Sequence, residues 1–218
     1  MYRLTLSGSK WVFLGLAALG LAGCKHYRPT ETGFLSDYSQ LVKDPIHLNH
    51  AIGFQRAMTH DATHEAVCQV DSFYIEPVQW RVDPETRGGK DPERQAILTS
   101  KLEQALIEQL STIKPIVPQP GPKTATIRSA ITTVRYSRPF TNLMLTATLF
   151  TPVGIGPVFF GGGAIEAEAI GPDGRQMAAV TSASSGGWFD IIGFYTKAGH
   201  AKKAMWRDAK ELRQALDH

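Results

Sequence analysis

The stretch Trp11 to Ala22, WVFLGLAALGLA, decides how much of this chain is available to fold. It is apolar or small throughout. Arg3 and Lys10 precede it without an acidic residue between them, and Gly23 and Cys24 come directly after it. A basic start, a short apolar core and small residues at its end have the form of a secretory signal peptide. Twelve residues fall short of the ~20 that a helix needs to span a bilayer. A permanent membrane helix is therefore the weaker reading. The folding unit starts after residue 23, which leaves 195 of the 218 residues. That is enough for one domain with a real core.

Leu21-Ala22-Gly23-Cys24 resembles the lipobox of bacterial lipoproteins. The resemblance implies cleavage between Gly23 and Cys24 and a diacylglyceryl group on the Cys24 thiol. Each buried methylene of an acyl chain contributes about 0.8 kcal/mol, and one chain alone holds only marginally, so stable anchoring takes two or three. The residue after Cys24 is Lys25 rather than Asp. By analogy with the sorting signals of Gram-negative lipoproteins, this implies the outer membrane, on its periplasmic side.

Charge and cysteine content narrow the rest. Arg3 and Lys10 leave with the leader, so 21 of the 23 basic residues remain against 20 acidic ones. A mature chain so close to neutral gives no reason to expect a nucleic-acid partner. With Cys24 acylated, Cys68 is the one remaining cysteine and cannot form an intramolecular disulfide. It lies in an apolar-alternating run, AVCQVDSFYI, so it is expected to be a buried, inert thiol.

Residues 24–64 read as an acylated tether and lead-in segment, polar and without sustained periodicity. Phe34, Leu35 and Tyr38 require cover, so part of it is expected to lie over the domain surface. Residues 65–218 read as one α+β domain. Val67 to Trp80 alternates and predicts a strand that ends at Glu76-Pro77 or just after. Asp91-Pro92-Glu93 is a helix start, with Leu98, Leu102, Leu106 and Leu110 recurring at four, which predicts a helix from Pro92 to Ser111. Ile116-Val117 is a short strand and Thr124 to Tyr136 a long one. GAIEAEAIGPDGRQMAAVTSAS predicts a hairpin about a Gly171-Pro172-Asp173-Gly174 turn. From Gly199 onward, Met205, Ala209, Leu212 and Leu216 share one helical stripe. The order implies a mainly antiparallel or mixed sheet with two amphipathic helices packed on one face, behind a long N-terminal tether.

Asn142 to Gly163, NLMLTATLFTPVGIGPVFFGGG, carries no charge. Pro152, Gly154, Gly156 and Pro157 break it, which argues against a continuous helix. It reads either as a strand and buried connection, or as a hairpin whose Leu143, Leu145, Leu149, Phe150, Val158, Phe159 and Phe160 contact a membrane or a partner. Gly161 to Gly163 is no phosphate loop, because no helix-opening Lys-Ser/Thr pattern comes after it.

Candidate chemistry is sparse. His60 and His64 stand at i and i+4, a spacing that would place two imidazoles on one helical face as metal ligands, with Asp61 or Glu65 nearby. Without HExxH they are weak candidates, and scattered loop histidines are the plainer reading. No GxSxG surrounds any serine. Ser182, Ser184 and Ser185, in SASSGG, read as loop. Lys203, Arg207 and Lys210 form a basic stripe interleaved with Asp208 and Glu211, which reads as a solvated face. No cofactor is implied.

Thr32-Gly33-Phe34-Leu35-Ser36-Asp37-Tyr38-Ser39 directly after a lipobox resembles the opening of a bacterial lipoprotein family, domain-of-unknown-function family 3313. The IEPV of Ile75 to Val78, the PQPGP turn, the IEAE of Ile165 to Glu168 and the LRQALD of Leu212 to Asp217 extend the resemblance over most of the mature chain. The His-rich Met58 to Glu65 departs from it. The family brings no catalytic residue or ligand. The expectation is a membrane-anchored envelope lipoprotein, a non-enzymatic binding or accessory subunit that meets envelope proteins or associates with itself. The alternatives are a metal-dependent hydrolase using His60 and His64, or a carrier of a small lipid or glycan held between sheet and helices.

Overall fold

In a computed structural model, the residues described are 29, 31–43, 47–49, 53–86, 89–135, 161–185 and 199–217. Cys24, Gly23 and the insert residues Asn142 to Phe160 lie outside them. Among these residues the chain forms strands β1 (Val42–Lys43), β2 (His47–Asn49) and β3 (Gly53–His60), then helix α1 (His64–Cys68). Strands β4 (Ser72–Ile75) and β5 (Gln79–Trp80) lead to helix α2 (Pro92–Leu110). Then come β6 (Ile116–Val117), β7 (Thr124–Arg135), β8 (Gly162–Ile170), β9 (Gln176–Ser185) and helix α3 (Gly199–Leu216).

The strands make one mixed sheet in the order β1-β3-β9-β8-β7-β4-β6, with β2 also on β3 and β5 also on β7. The long central strands β7, β8, β9 and β3 are antiparallel, whereas β4, β5 and β6 join in parallel. A parallel return needs a crossover, and α2 supplies it between β5 and β6. Asp91 caps α2 by accepting the Arg94 N–H at 3.2 Å, with Pro92 opening the first turn.

Helices α2 and α3 both pack on one face of the sheet. Leu98, Leu102, Leu106 and Leu110 of α2 and Met205, Leu212 and Leu216 of α3 are fully buried against Phe73, Ile127, Ile131 and Ile165. At Gly163 a Cβ would sit 2.7 Å from the Met205 Cε, so the missing side chain lets α3 settle onto β8. Strand period fixes the other face: Arg128, Glu166 and Glu168 point away from the helices. A register shift between Ile131 and Thr133 inserts one extra residue into β7. The resulting bulge returns Val134 to the helix side, where it is buried.

The fold corrects four expectations drawn from sequence. The folded part begins well before residue 65, because β3 is a full member of the sheet beside β9. Its FQRAMTH run is too polar in the interior of the pattern to announce a strand, and pairing with β9 decides it. The strand expected from Val67 starts only at Ser72, as β4, because Thr63 caps a short helix through the Ala66 N–H at 3.2 Å and Val67 and Cys68 belong to it. Cys68 is exposed rather than buried, since it falls on the outer side of that helix. SASSGG is not all loop: Ser182, Ser184 and Ser185 complete β9 and are buried.

Candidate functional site

The face of the sheet opposite the helices carries two acidic side chains, Glu166 and Glu168, both fully buried. Burying a carboxylate is costly unless hydrogen bonds and opposite charge replace water. Both kinds of replacement are present, and most come from the segment Thr32–Tyr38. Thr32 donates its backbone N–H to Glu166 Oε1 at 2.8 Å and its hydroxyl to Oε2 at 3.0 Å. The Tyr38 hydroxyl donates to the same Oε2 at 2.6 Å. Four residues beyond Thr32, Ser36 donates its N–H to Glu168 Oε2 at 2.8 Å and its hydroxyl to Oε1 at 3.1 Å. Arg128 completes Glu168 with a 2.7 Å ion pair, and Gln176 Nε2 donates at 2.8 Å.

The strap between these two clasps is shaped by its own sequence. Gly33 has φ +76°, a left-handed backbone that a side chain disfavours. That turn presents the Thr32 N–H to the sheet and sends Phe34 and Leu35 inward, where both are buried against Ala130 and Ala179. The Tyr38 oxygen accepts the N–H groups of Phe34 and Leu35 at 2.9 and 3.2 Å while donating to Glu166. Burial, with the Glu166 carboxylate beside it, pushes the Tyr38 phenol above its ordinary value. The guanidinium groups of Arg81 and Arg128 each lie 5.2 Å from the centre of the Phe34 ring, within cation–π range. The expectation that Phe34, Leu35 and Tyr38 lie over the domain surface is met. In this arrangement both carboxylates are enclosed and engaged in holding the strap.

A third buried acid lies on the helix side. Asp208 of α3 is fully buried, and its Oδ1 accepts the Ser182 and Ser184 hydroxyls at 2.6 and 2.7 Å. Its Oδ2 has no hydrogen-bond partner among the described residues. Burial raises its pKa from 3.8 to about 7, against the opposing pull of the two serines and Arg207. Asp208 therefore does not belong to a solvated stripe. Arg207, its neighbour, donates to the Ser185 carbonyl at 2.9 Å. Lys203 and Lys210 remain exposed.

His60 and His64 do not share a helical face. His60 ends β3, with Nδ1 3.3 Å from Gln176 Oε1. His64 begins α1, with Nε2 3.4 Å from Cys68 Sγ. The helix that the i, i+4 argument needs starts only at His64. Among the described residues no three His, Cys, Asp or Glu side chains converge on a metal position. His60 instead borders a shallow cleft of about 380 Å³ between Gln40, Thr63, Gln69, Pro172 and Arg175. Among the described residues, buried apolar side chains of α2, α3 and the sheet pack against one another in the layer between them.

Glu166, Glu168 and Asp208 are the polar groups that sequence reasoning did not single out. The usable signal was IEAE itself: acids alternating with small residues in a strand whose neighbours are apolar.

A family model described as "Protein of unknown function (DUF3313)" matches residues 30–212. No curated protein matches. Among solved structures, a point-variant PelC dodecamer from Paraburkholderia phytofirmans is similar at 14% identity and a TM-score of 0.44. That match covers 73% of this chain and 97% of the other. A second PelC dodecamer from the same organism is similar at 9% identity and a TM-score of 0.43, with the same coverage. The family match includes both the strap and the acids that hold it, and the chain belongs to the DUF3313 family.

Proposed function

We propose that this is an envelope lipoprotein whose acylated Cys24 holds a non-enzymatic binding domain on the periplasmic side of the outer membrane, as an accessory subunit. The observation that carries this reading is the direction of the strap. Thr32 meets Glu166 and Ser36 meets Glu168, so the strap, followed back from Ser36 to Thr32, runs toward the Gly162 end of β8. Thr32 lies eight positions after Cys24, a reach of at most about 29 Å. A lipid on Cys24 thus keeps that end of the sheet near the bilayer.

Arg135, Gly162 and Ser185 stand side by side at the same end. The apolar insert leaves β7 and rejoins β8 there, which favours Leu143, Leu145, Leu149, Phe150, Val158, Phe159 and Phe160 as contacts to the membrane or to an envelope partner. No helix among the described residues is long and apolar enough to cross a membrane.

Two linked measurements test this. Mass spectrometry of the N-terminal peptide is expected to show an acylated Cys24, and Cys24→Ser is expected to move the protein out of the membrane fraction. Affinity purification from gently solubilised envelopes is then expected to recover a defined protein set that is lost when Asn142 to Phe160 is replaced by a Gly/Ser linker. An unmodified Cys24 defeats the anchor. Recovery of the same set without the insert defeats the contact.

A further inference from the structure

We propose that the outward faces of α2 and α3 form the contact surface for a second copy of this chain, α2 of each copy lying along α3 of the other. The two helices sit on the same side of the sheet, so their solvent faces point the same way. That layer exposes three large apolar side chains: Ile97 (40%), Ile107 (41%) and Trp206 (45%). Single exposed apolar residues are ordinary. Here three share one helical layer, with charges of opposite sign around them.

On α2, Glu93 and Glu103 make no ion pair among the described residues, and Glu108 meets only the neutral Gln104 amide at 3.0 Å. On α3, Lys202 and Lys210 are exposed beside Trp206, likewise without an ion pair among the described residues. Lys101 bonds to Gln104 within α2, and Arg213 of α3 to Asp217 just past its end. A negative, isoleucine-bearing helix thus lies beside a positive, tryptophan-bearing one. Such a surface is complementary to itself when turned over.

The topology supplies the symmetry. Strands β7 and β9 are parallel, each being antiparallel to β8. Helix α2 returns against β4 and β5, which run parallel to β7, on its way to β6, and α3 runs back against β9, so the two helices are parallel. A two-fold axis along them places α2 on the partner's α3 twice over. It also points both Arg135–Gly162–Ser185 ends the same way, so two tethered copies fit one membrane. The contact itself does not rest on the anchor reading. Helices of 19 and 18 residues are about 28 Å long, and side by side about 20 Å wide. That gives a flat footprint of roughly 550 Å², which side-chain relief carries toward the ~800 Å² per partner of a specific interface.

Sedimentation velocity of the full chain in mild detergent tests the proposal, with charge exchange as the probe. The wild type is expected to be a dimer. The pair Glu103→Lys and Glu108→Lys, and separately the pair Lys202→Glu and Lys210→Glu, are each expected to weaken association at least tenfold. All four together are expected to restore it. Circular dichroism checks that each variant is folded. Should a charge variant misfold, Trp206→Ala carries the same expected tenfold loss. A monomeric wild type, association indifferent to these changes, or failure of the four-fold variant to recover overturns the proposal.

Discussion

On the helix side of the sheet, Ile127, Ile131, Ile165 and Val180 meet Leu102, Met205 and Leu212; on the other side, the alternating positions Arg128, Glu166 and Glu168 meet Thr32, Ser36 and Tyr38. The same strands build both. Apolar burial is non-directional and tolerates small shifts of a helix along the sheet. Hydrogen bonds to buried carboxylates are directional, and a slip of one residue forfeits them. The helix side therefore supplies bulk cohesion, while the strap side fixes one register for the chain that arrives from the N-terminus. Asp208 is the exception that ties the two styles together: a directional contact set into the apolar layer.

Glu168→Ala tests the contrast most severely. It leaves the Ser36 N–H, the Ser36 hydroxyl and the Gln176 amide without their acceptor, while Arg128, a third exposed, keeps Glu76 at 3.8 Å; stranding these donors costs about 3 kcal/mol. Urea unfolding of the variant is expected to show that loss, whereas a change below about 1 kcal/mol would mean the strap is not seated as described.

Asp208 probes the helix side through pH. Its folded pKa of about 7 lies above the unfolded value of 3.8, so the folded state keeps a proton that the unfolded chain releases. Stability from this group therefore falls as pH rises from about 4 to about 7, and is level above that. Between pH 5 and pH 8 the loss is about 3 kcal/mol. Thermal melts of Asp208→Asn are expected to lack most of that slope, with the variant gaining on the wild type at pH 8.

Smaller effects belong to the strap alone. Tyr38→Phe removes a donor to Glu166 and the acceptor of two backbone N–H groups, for an expected cost of about 2 kcal/mol. Gly33→Ala forces a left-handed backbone on a side chain, at about 1 kcal/mol. Nothing lies within 4 Å of the added Cβ, so the cost is conformational only. Both changes are expected to speed hydrogen exchange at Phe34 and Leu35 before any global unfolding. Exchange unchanged in both would show that the apolar anchors suffice without the clasp.

Much of the sheet was legible because period carries it. The alternation of Thr124 to Tyr136, the hairpin about Gly171 to Gly174 and the leucine spacing of α2 each declare their element. β3 was hidden, since a strand between two others reads from its partners rather than from its own mixed composition. α1 was hidden because five residues offer no period. The buried acids were illegible for another reason. Alternation assigns Glu166 and Glu168 to the face away from the core, and a strand alone reads that face as solvent. Only the strap, more than a hundred positions earlier in the chain, turns it into an interior. Asp208 sits among lysines in sequence, and only the packing of α3 on β9 separates it from them.

The clasp also has a mechanical side. Thr32 and Ser36 contact β8 at two successive outward positions, and the strap runs in the same direction as that strand. A pull applied along the strap at Thr32 acts along the strand rather than away from the sheet. Force is then shared in shear by both carboxylate clasps and by the Phe34 and Leu35 contacts at once, instead of peeling them one after another. Under such a pull the seat of the strap is a joint loaded in shear, and its resistance to a steady tug is set by how slowly the whole joint lets go.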